Sequence, residues 1–348
     1  MKSKTLKVVA LVLVMLFAVA IVGCGGKKDP APTTGGEVKK DPITIRIGTT
    51  VSPEHSYSVV AQDFKKEVEA ASKGSIKVEY LGGGVLGGER QMVEAVQRGD
   101  LEMTWTSDIG AAAVYPELGF VNLPYLFPTY ADVDRDYRNG WIGEYVTKTL
   151  DAKGIKNLGI GENDYRGLTN SKRPILKGSD LKGLKMRVPE VPMYVDFYKS
   201  LGVLPTPMAI TEVPTALQQK TVDGQDNGAI MSWDYGMYEF QKYGTKANQI
   251  YSATYWLMGT KTWDKLDADQ QKIVADASKK AADAQVALQR TNSAKQWKQM
   301  AEKGMQVDEI TPQLAADFKA VAARMYADPV YEKAYTKEVM DRINAEHK

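Results

Sequence analysis

One cysteine and two histidines, His55 and His347, are all that 348 residues hold of the side chains most used in nucleophilic and metal chemistry. That count excludes an internal disulfide, a zinc site built on several cysteines and a four-cysteine iron–sulfur cluster. A Cys–His or Ser–His machine would have to use His55, or a histidine one residue from the C-terminus. HExxH and GK[ST] are missing too, which removes the zinc-protease and P-loop readings. Charge of one sign is also lacking: 45 Lys plus Arg stand against 43 Asp plus Glu, a formal net charge of +2. Nucleic-acid partners call for a strongly basic face, so none is expected. At about 150 residues per domain, the length predicts roughly two domains, each able to bury a core.

The one long apolar run is Val8–Val22, preceded by Lys2, Lys4 and Lys7. It is short for a membrane-spanning helix and suits the apolar core of a secretory signal. It ends in Ile21-Val22-Gly23-Cys24, which resembles a bacterial lipobox: an aliphatic, a tolerated and a small residue ahead of a cysteine that becomes lipidated. Residues 1–23 then read as a lipoprotein signal peptide and Cys24 as the lipid anchor; an N-terminal anchor that is never cleaved is the alternative. Loss of the three lysines turns the formal +2 into −1. Residues 24–42 carry Gly, Pro, Thr and charge without apolar periodicity and read as a flexible tether. The remainder would work outside the cytoplasm, lipid-anchored in the periplasm or at the outer face of the cytoplasmic membrane. ATP and NAD are scarce there.

In the folded part, Ile43–Ile47 and Ile76–Tyr80 alternate apolar and polar residues and predict strands. Between them, Val60, Phe64 and Val68 recur every fourth residue and predict a helix closed by Lys73-Gly74. A glycine turn at 82–88 leads into a helix over 89–98 with Met92, Val93 and Val96 inward, then a third strand over 101–106. The same grammar resumes with strands at 155–160 and 184–188, helices near 193–201 and 212–219, and a strand over 251–259. Strands separated by helices imply parallel βαβ units. Between Leu266 and Lys303 there is no Gly or Pro. Ile273, Ala277, Ala281, Ala284 and Leu288 mark the inward stripe of a helix far longer than the mean of about 12 residues. The fold class is therefore α/β: two lobes with mixed or parallel sheets, an interlobe cleft and a long helix spanning both. Lobe 1 is placed at 43–163 plus about 253–292, and lobe 2 at 164–252 plus about 293–348.

Gly82-Gly-Gly84-Val-Leu-Gly87 is a literal GxGxxG between a strand and a helix, and Asp108 lies where a ribose-binding acid would fall. Such a turn can aim backbone N–H groups at an anion; a plain tight turn is the alternative. Arg187 sits near the end of a strand, with Pro189 preventing the next ladder bond. Strand C-termini open into the crevice of α/β folds, where a guanidinium fork can hold a carboxylate by two parallel charge-assisted bonds. A structural salt bridge is the other reading. Trp105, Tyr125 and Trp233 are aromatic candidates for stacking on a ligand or packing in the core. His55, in the first strand-to-helix loop, would donate to a ligand or face solvent.

Gly183-Leu-Lys-Met-Arg-Val-Pro189, Leu204-Pro-Thr-Pro-Met-Ala209, Glu212-Val-Pro-Thr-Ala-Leu-Gln218 and Val222-Asp-Gly-Gln-Asp-Asn227 follow one another in order. With Leu86-Gly-Gly-Glu-Arg90, Leu123-Pro-Tyr-Leu-Phe127 and Asn163-Asp-Tyr-Arg166, the series resembles the solute-binding proteins of tripartite ATP-independent periplasmic (TRAP) transporters, the DctP family. The resemblance runs from about Ile43 to the C-terminus. It implies a periplasmic-binding-protein-like fold that closes on a small organic acid and delivers it to small and large membrane subunits, with no cofactor, metal or reaction of its own. Arg187 matches the arginine that pairs with the ligand carboxylate, Arg166 a supporting arginine, Asn227 an asparagine of the ligand site, and Glu89 the acid beside the glycine turn. Thr50, Glu89 and Trp105 would meet the acid from the first lobe. Ser107 and Asp108 fall in a pocket segment that varies with substrate. Ile210 stands where many members place an aromatic, and Gly228 where many have proline. A four-carbon dicarboxylate, a keto acid, an aromatic acid and a sugar acid all remain open as ligand. A binding protein of an ABC importer and an extracytoplasmic two-lobe enzyme, with Glu89 as base, are the alternatives.

Overall fold

The computed structural model describes residues 41–346; the expected signal peptide, Cys24 and nearly all of the expected tether lie outside them. The strands, in chain order, are β1 (Ile43–Gly48), β2 (Ile76–Leu81), β3 (Met103–Ser107), β4 (Ile155–Tyr165), β5 (Gly167–Asn170) and β6 (Lys185–Val188). Then come β7 (Leu204–Pro207), β8 (Gly224–Asn227), β9 (Tyr243–Lys246), β10 (Tyr251–Gly259) and β11 (Gln306–Glu309). They form a five-stranded sheet of order β2-β1-β3-β10-β4 and a six-stranded sheet of order β11-β9-β5-β8-β6-β7. Helix α1 (Ser56–Ala71) joins β1 to β2, and α2 (Glu89–Arg98) joins β2 to β3. Their inward residues Val60, Phe64, Val68, Met92, Val93 and Val96 are all buried, as the apolar spacing requires. Gly99, in the left-handed conformation at φ 83°, ends α2.

The parallel βαβ reading holds for β1, β2 and β3 and for β6, β7 and β8. It fails at β10, which runs antiparallel to both β3 and β4, and at β5, antiparallel to β8 and β9. The reason is topological. Strands β4 and β5 are consecutive but belong to different sheets, with only Arg166 between them. The chain then returns as β10, inserted between β3 and β4, so its direction follows from the crossover and not from a local βαβ unit.

The long helix spans Ala268–Glu302 and opens with a capping box, in which Asp267 and Gln270 satisfy each other's backbone N–H. Its first half buries Val274, Ala277 and Ala281 in the core beside Trp105 and Trp256. Its far end places Trp297 and Met300 against Ala229 and Met305. The expected stripe drifts, however: Ala284 and Leu288 are exposed, while Gln285 and Gln289 are fully buried. Their amides serve the backbone of β4. Gln285 accepts from Glu162 N (2.8 Å) and donates to Glu162 O (2.7 Å), and Gln289 donates to Asn163 O (2.8 Å). The ladder with β10 is irregular here: Ser252 pairs with Asp164 and Ala253 with Glu162, skipping Asn163. Buried backbone groups that lose a ladder partner need another. Two glutamines therefore replace apolar residues on the inward face.

Candidate functional site

Arg187, on β6, is 4% exposed and forms no ion pair among the described residues. Its Nε and Nη2 both donate to the carbonyl of Met208, at 2.9 and 2.8 Å. Burial, then the neighbouring Arg166 charge, lowers its pKa to about 10, which still leaves it protonated near neutrality. Its hydrogen bonds go only to a carbonyl and it has no ion-pair partner among the described residues, while the Asp226 and Glu89 charges offset part of the burial cost. It lines two cavities of about 20 Å³ each, one shared with Glu89, Ser107, Asn163, Arg166 and Asn227, the other with Arg90, Glu190 and Met208. Ile109 and Ile210 form apolar wall in both.

Arg166, in the crossover between the sheets, is differently placed. Its Nε pairs with the Asp226 carboxylate, its Nη2 donates to the Asp226 carbonyl at 2.6 Å, and its guanidinium lies 5.2 Å from the Tyr194 ring centre. Tyr198 and Gln249 also donate to Asp226. Burial pulls the Arg166 pKa down, but the Asp226 charge outweighs it and the net shift is upward. Arg166 is therefore a fixed, charge-balanced wall beside Arg187.

Glu89 is the first residue of α2, and its two oxygens accept from Ser107 N (2.7 Å) and Ser107 Oγ (2.5 Å). Ser107 ends β3 and caps α3 (Asp108–Val114), accepting from Gly110 N at 3.2 Å. Gly110 is required here: a Cβ would stand 2.4 Å from Thr106 Oγ1 and 2.6 Å from Glu89 Cβ. Asn227, at the end of β8, accepts from Gly228 N at 3.0 Å. Asn163, in the irregular register, accepts from Tyr57 OH (3.1 Å) and donates to Ser252 Oγ (3.1 Å) while lining the same cavity as Arg187. A bulge that redirects a side chain toward a cleft is a recurrent device. Asn163 stood only within a motif in the sequence and carries no periodic signal that would single it out. Asp226 is equally silent, because its role depends on Arg166, sixty positions away.

The structure thus brings Arg187, Arg166, Asn227, Glu89, Ser107 and Ile210 together. Other expected site residues lie elsewhere. Trp105 is stacked on Tyr57 (ring centres 5.2 Å apart) and packed on Trp256 inside the first core. His55 caps α1, its Nδ1 accepting from Tyr57 N at 3.2 Å, and is buried, so the solvated loop reading fails. Trp233 stacks on Tyr238 beside Trp297. Tyr125 borders a surface groove with Lys319, whose amine lies 5.7 Å from the ring centre. Thr50 lines neither cavity; its carbonyl accepts from Tyr235 OH at 2.7 Å, next to a bond from Ser52 N to Asp234 (3.1 Å). These bonds join the loop after β1 to the segment that follows β8.

The hydrogen bonds of the glycine turn fit the plain tight turn and not the dinucleotide reading. Gly83 N, Gly84 N and Gly87 N donate to the carbonyls of Val51, Thr49 and Gly84, so they are not aimed at an anion. Asp108 is fully buried and already accepts from Ser252 Oγ (2.6 Å), Ala253 N (2.8 Å) and Asn122 Nδ2 (3.1 Å). It is a structural acid. Among the described residues no cluster of three or more His, Cys, Asp or Glu is arranged for a metal ion.

Buried carboxyls near the crossover set a pH dependence. Burial raises Asp108 and Asp164 to about 6 and Glu162 to about 7. A carboxyl pKa raised by folding contributes stability that is full below the unfolded value and is lost as pH rises through the folded one. His55, lowered by burial to about 4, opposes this as the pH falls below about 6.5. Three groups outweigh one, so the thermal midpoint is expected to be several degrees higher near pH 5 than near pH 8. His55→Asn, which keeps a capping side chain, should widen that difference. Scanning calorimetry across this range checks both; a midpoint that climbs with pH contradicts the assignment.

Comparison with known proteins adds to this geometry. The model of DctP, the bacterial extracellular solute-binding protein family 7, matches residues 47–335. A solute-binding protein of Verminephrobacter eiseniae is 36% identical over 303 residues, 87% of this chain and 89% of that one. A TRAP periplasmic solute binding protein from a Polaromonas species, bound to D-erythronate, is 36% identical with a TM-score of 0.81, covering 87% of this chain and 98% of that one. The sugar acid binding protein of Advenella mimigardefordensis, in complex with galactonate, is 29% identical with a TM-score of 0.83, covering 87% and 97%.

Proposed function

The chain belongs to the DctP family of bacterial extracellular solute-binding proteins, and from that premise we propose that Arg187 captures the carboxylate of a small organic acid as two lobes close around it. The observation that carries this reading is the buried Arg187 fork, which no carboxylate of the protein neutralises among the described residues. Two charge-assisted bonds contribute roughly 3–6 kcal/mol together. Micromolar affinity needs about 8 kcal/mol, so Asn163, Asn227, Glu89 and the apolar wall supply the balance. Closure is a hinge motion about β4 and β10, with lobe 1 at 43–163 plus about 253–292 and lobe 2 at 164–252 plus about 293–348. The bonds from Ser52 to Asp234 and from Tyr235 to Thr50 then act as latches across the cleft.

The acid is bound and released unchanged. It passes to the small and large membrane subunits of a TRAP-type transporter, while Cys24 carries the lipid that keeps the protein at the membrane. Among the described residues no helix is long and apolar enough to cross a membrane. D-erythronate and galactonate, the acids held by the two structural relatives, are the first probes. At a hundredfold excess over its dissociation constant, a bound acid adds about 2.7 kcal/mol and should raise the thermal midpoint by roughly 5 °C. Mass spectrometry of the acid recovered after long incubation should find it intact. Conversion to a new product would overturn the reading in favour of an enzyme.

A further inference from the structure

The glycine turn at 82–88 is pinned to its own lobe by hydrogen bonds. Gly83 N and Gly84 N donate to the carbonyls of Val51 (2.8 Å) and Thr49 (3.0 Å), and Gly87 N donates to that of Gly84 (2.9 Å). The loop that holds it also carries the bonds to Asp234 and Tyr235. What the turn faces belongs to the other sheet's connections. A Cβ at Gly84 would stand 3.1 Å from Thr211 Cγ2, and one at Gly88 would stand 3.5 Å from Ala209 Cβ. Gly88 is buried although Gly87 beside it is exposed. Ala209 directly follows Met208, whose carbonyl holds the Arg187 fork. The segment that meets the turn is therefore the one that aims Arg187.

We propose that this turn is the closing face of lobe 1, a stop whose contact points lack side chains, on which residues 209–211 of lobe 2 seat when the cleft shuts. The inference rests on lobe closure around an acid and names the surface that sets how far closure goes. The cavity that Arg187 shares with Glu89 and Ser107 measures about 20 Å³, so it has little slack. Side chains at 84 or 88 would hold the 209–211 segment off, and with it Met208 and the fork. Water would then reach the ion pair and weaken it. Gly84 also needs glycine for its φ of 70°. Gly88 is extended, at φ −78° and ψ 173°, so a larger residue there meets no backbone strain. That makes position 88 the cleaner place to test the seating.

A Cβ separation of 3.5 Å lies within the range that a disulfide spans. Gly88→Cys with Ala209→Cys, in a full-length Cys24→Ser background, should therefore cross-link under mild oxidation. Thiols that stay free, with D-erythronate or galactonate present, overturn the seating whatever anchors the acid. Gly88→Ile should leave the thermal midpoint of the acid-free protein unchanged, since the group nearest its Cβ within lobe 1 is the flexible end of Gln91. In calorimetric titration it should weaken both acids about tenfold to a hundredfold. Gly88→Ala, in ordinary contact with Ala209, should stay within about twofold. Adding Ala209→Gly to Gly88→Ile should recover most of the loss. Native affinity in Gly88→Ile, or a loss that Ala209→Gly does not relieve, overturns the role of the turn and leaves Arg187 as the anchor. A cross-link that forms while Arg187→Ala binds undiminished overturns the anchor and leaves the seating standing. Should neither acid bind the unmodified protein, the cross-link alone decides.

Discussion

Arg187→Ala is expected to weaken binding of any carboxylate ligand by roughly a hundredfold to ten-thousandfold, the value of two charge-assisted hydrogen bonds made to a buried guanidinium. Arg187→Lys keeps the charge but presents a single ammonium where the fork had two parallel donors, so it should recover only part of the loss. The same substitution should have little effect on folding. The Arg187 side chain hydrogen-bonds only the Met208 carbonyl and forms no ion pair among the described residues, so burial outweighs what the Asp226 and Glu89 charges return. Removing such a charge relieves a burial cost, so Arg187→Ala should melt at or above the temperature of the unmodified protein. Calorimetric titration with the unfolding scan separates the two readouts. Near-native affinity, or a collapse of stability with the affinity loss, would remove Arg187 from the role assigned to it.

Asp226→Ala should do the opposite. Asp226 is fully buried and balances Arg166 while accepting from Tyr198 and Gln249. Its loss strands a buried guanidinium and two further donors, a change that costs about 3–5 kcal/mol. In a chain of this size the thermal midpoint should fall by about 10 °C. Asp226→Asn, which keeps the shape and part of the hydrogen bonding, should fall less. A midpoint within a degree or so of the original would show that Arg166 finds compensation elsewhere. The pair of experiments contrasts two arginines that look alike in sequence: Arg166 is ion-paired with Asp226, and Arg187 forms no ion pair among the described residues.

That contrast shows how far the site was legible beforehand. Arg187, Arg166, Asn227, Glu89, Ser107 and Ile210 were picked out by local motifs, and the fold brings them to one cavity. Trp105, His55, Trp233, Tyr125 and Thr50 were chosen for residue type or position near a strand end, and they lie elsewhere. An aromatic at a strand end faces the core or the cleft according to the strand's register, which depends on its neighbours. For Trp105 the neighbour is Trp256, about 150 positions away on β10. Asn163 and Asp226 were passed over for the complementary reason, since each acts through a partner distant in the chain.

The sequence by itself determined the local elements: alternating strands, helices with their apolar faces inward, and glycine turns. Its poverty in cysteine and histidine limited the chemistry before any element was placed. Only the tertiary structure decided that β10 runs antiparallel between β3 and β4, that the long helix turns two glutamines inward, and that Asp226 neutralises one arginine and not the other. Local periodicity reports which side of an element is dry. Strand direction, counter-charge and cavity depend on contacts between segments distant in the chain, sixty positions in the case of Arg166 and Asp226, and these exist only once the chain has folded.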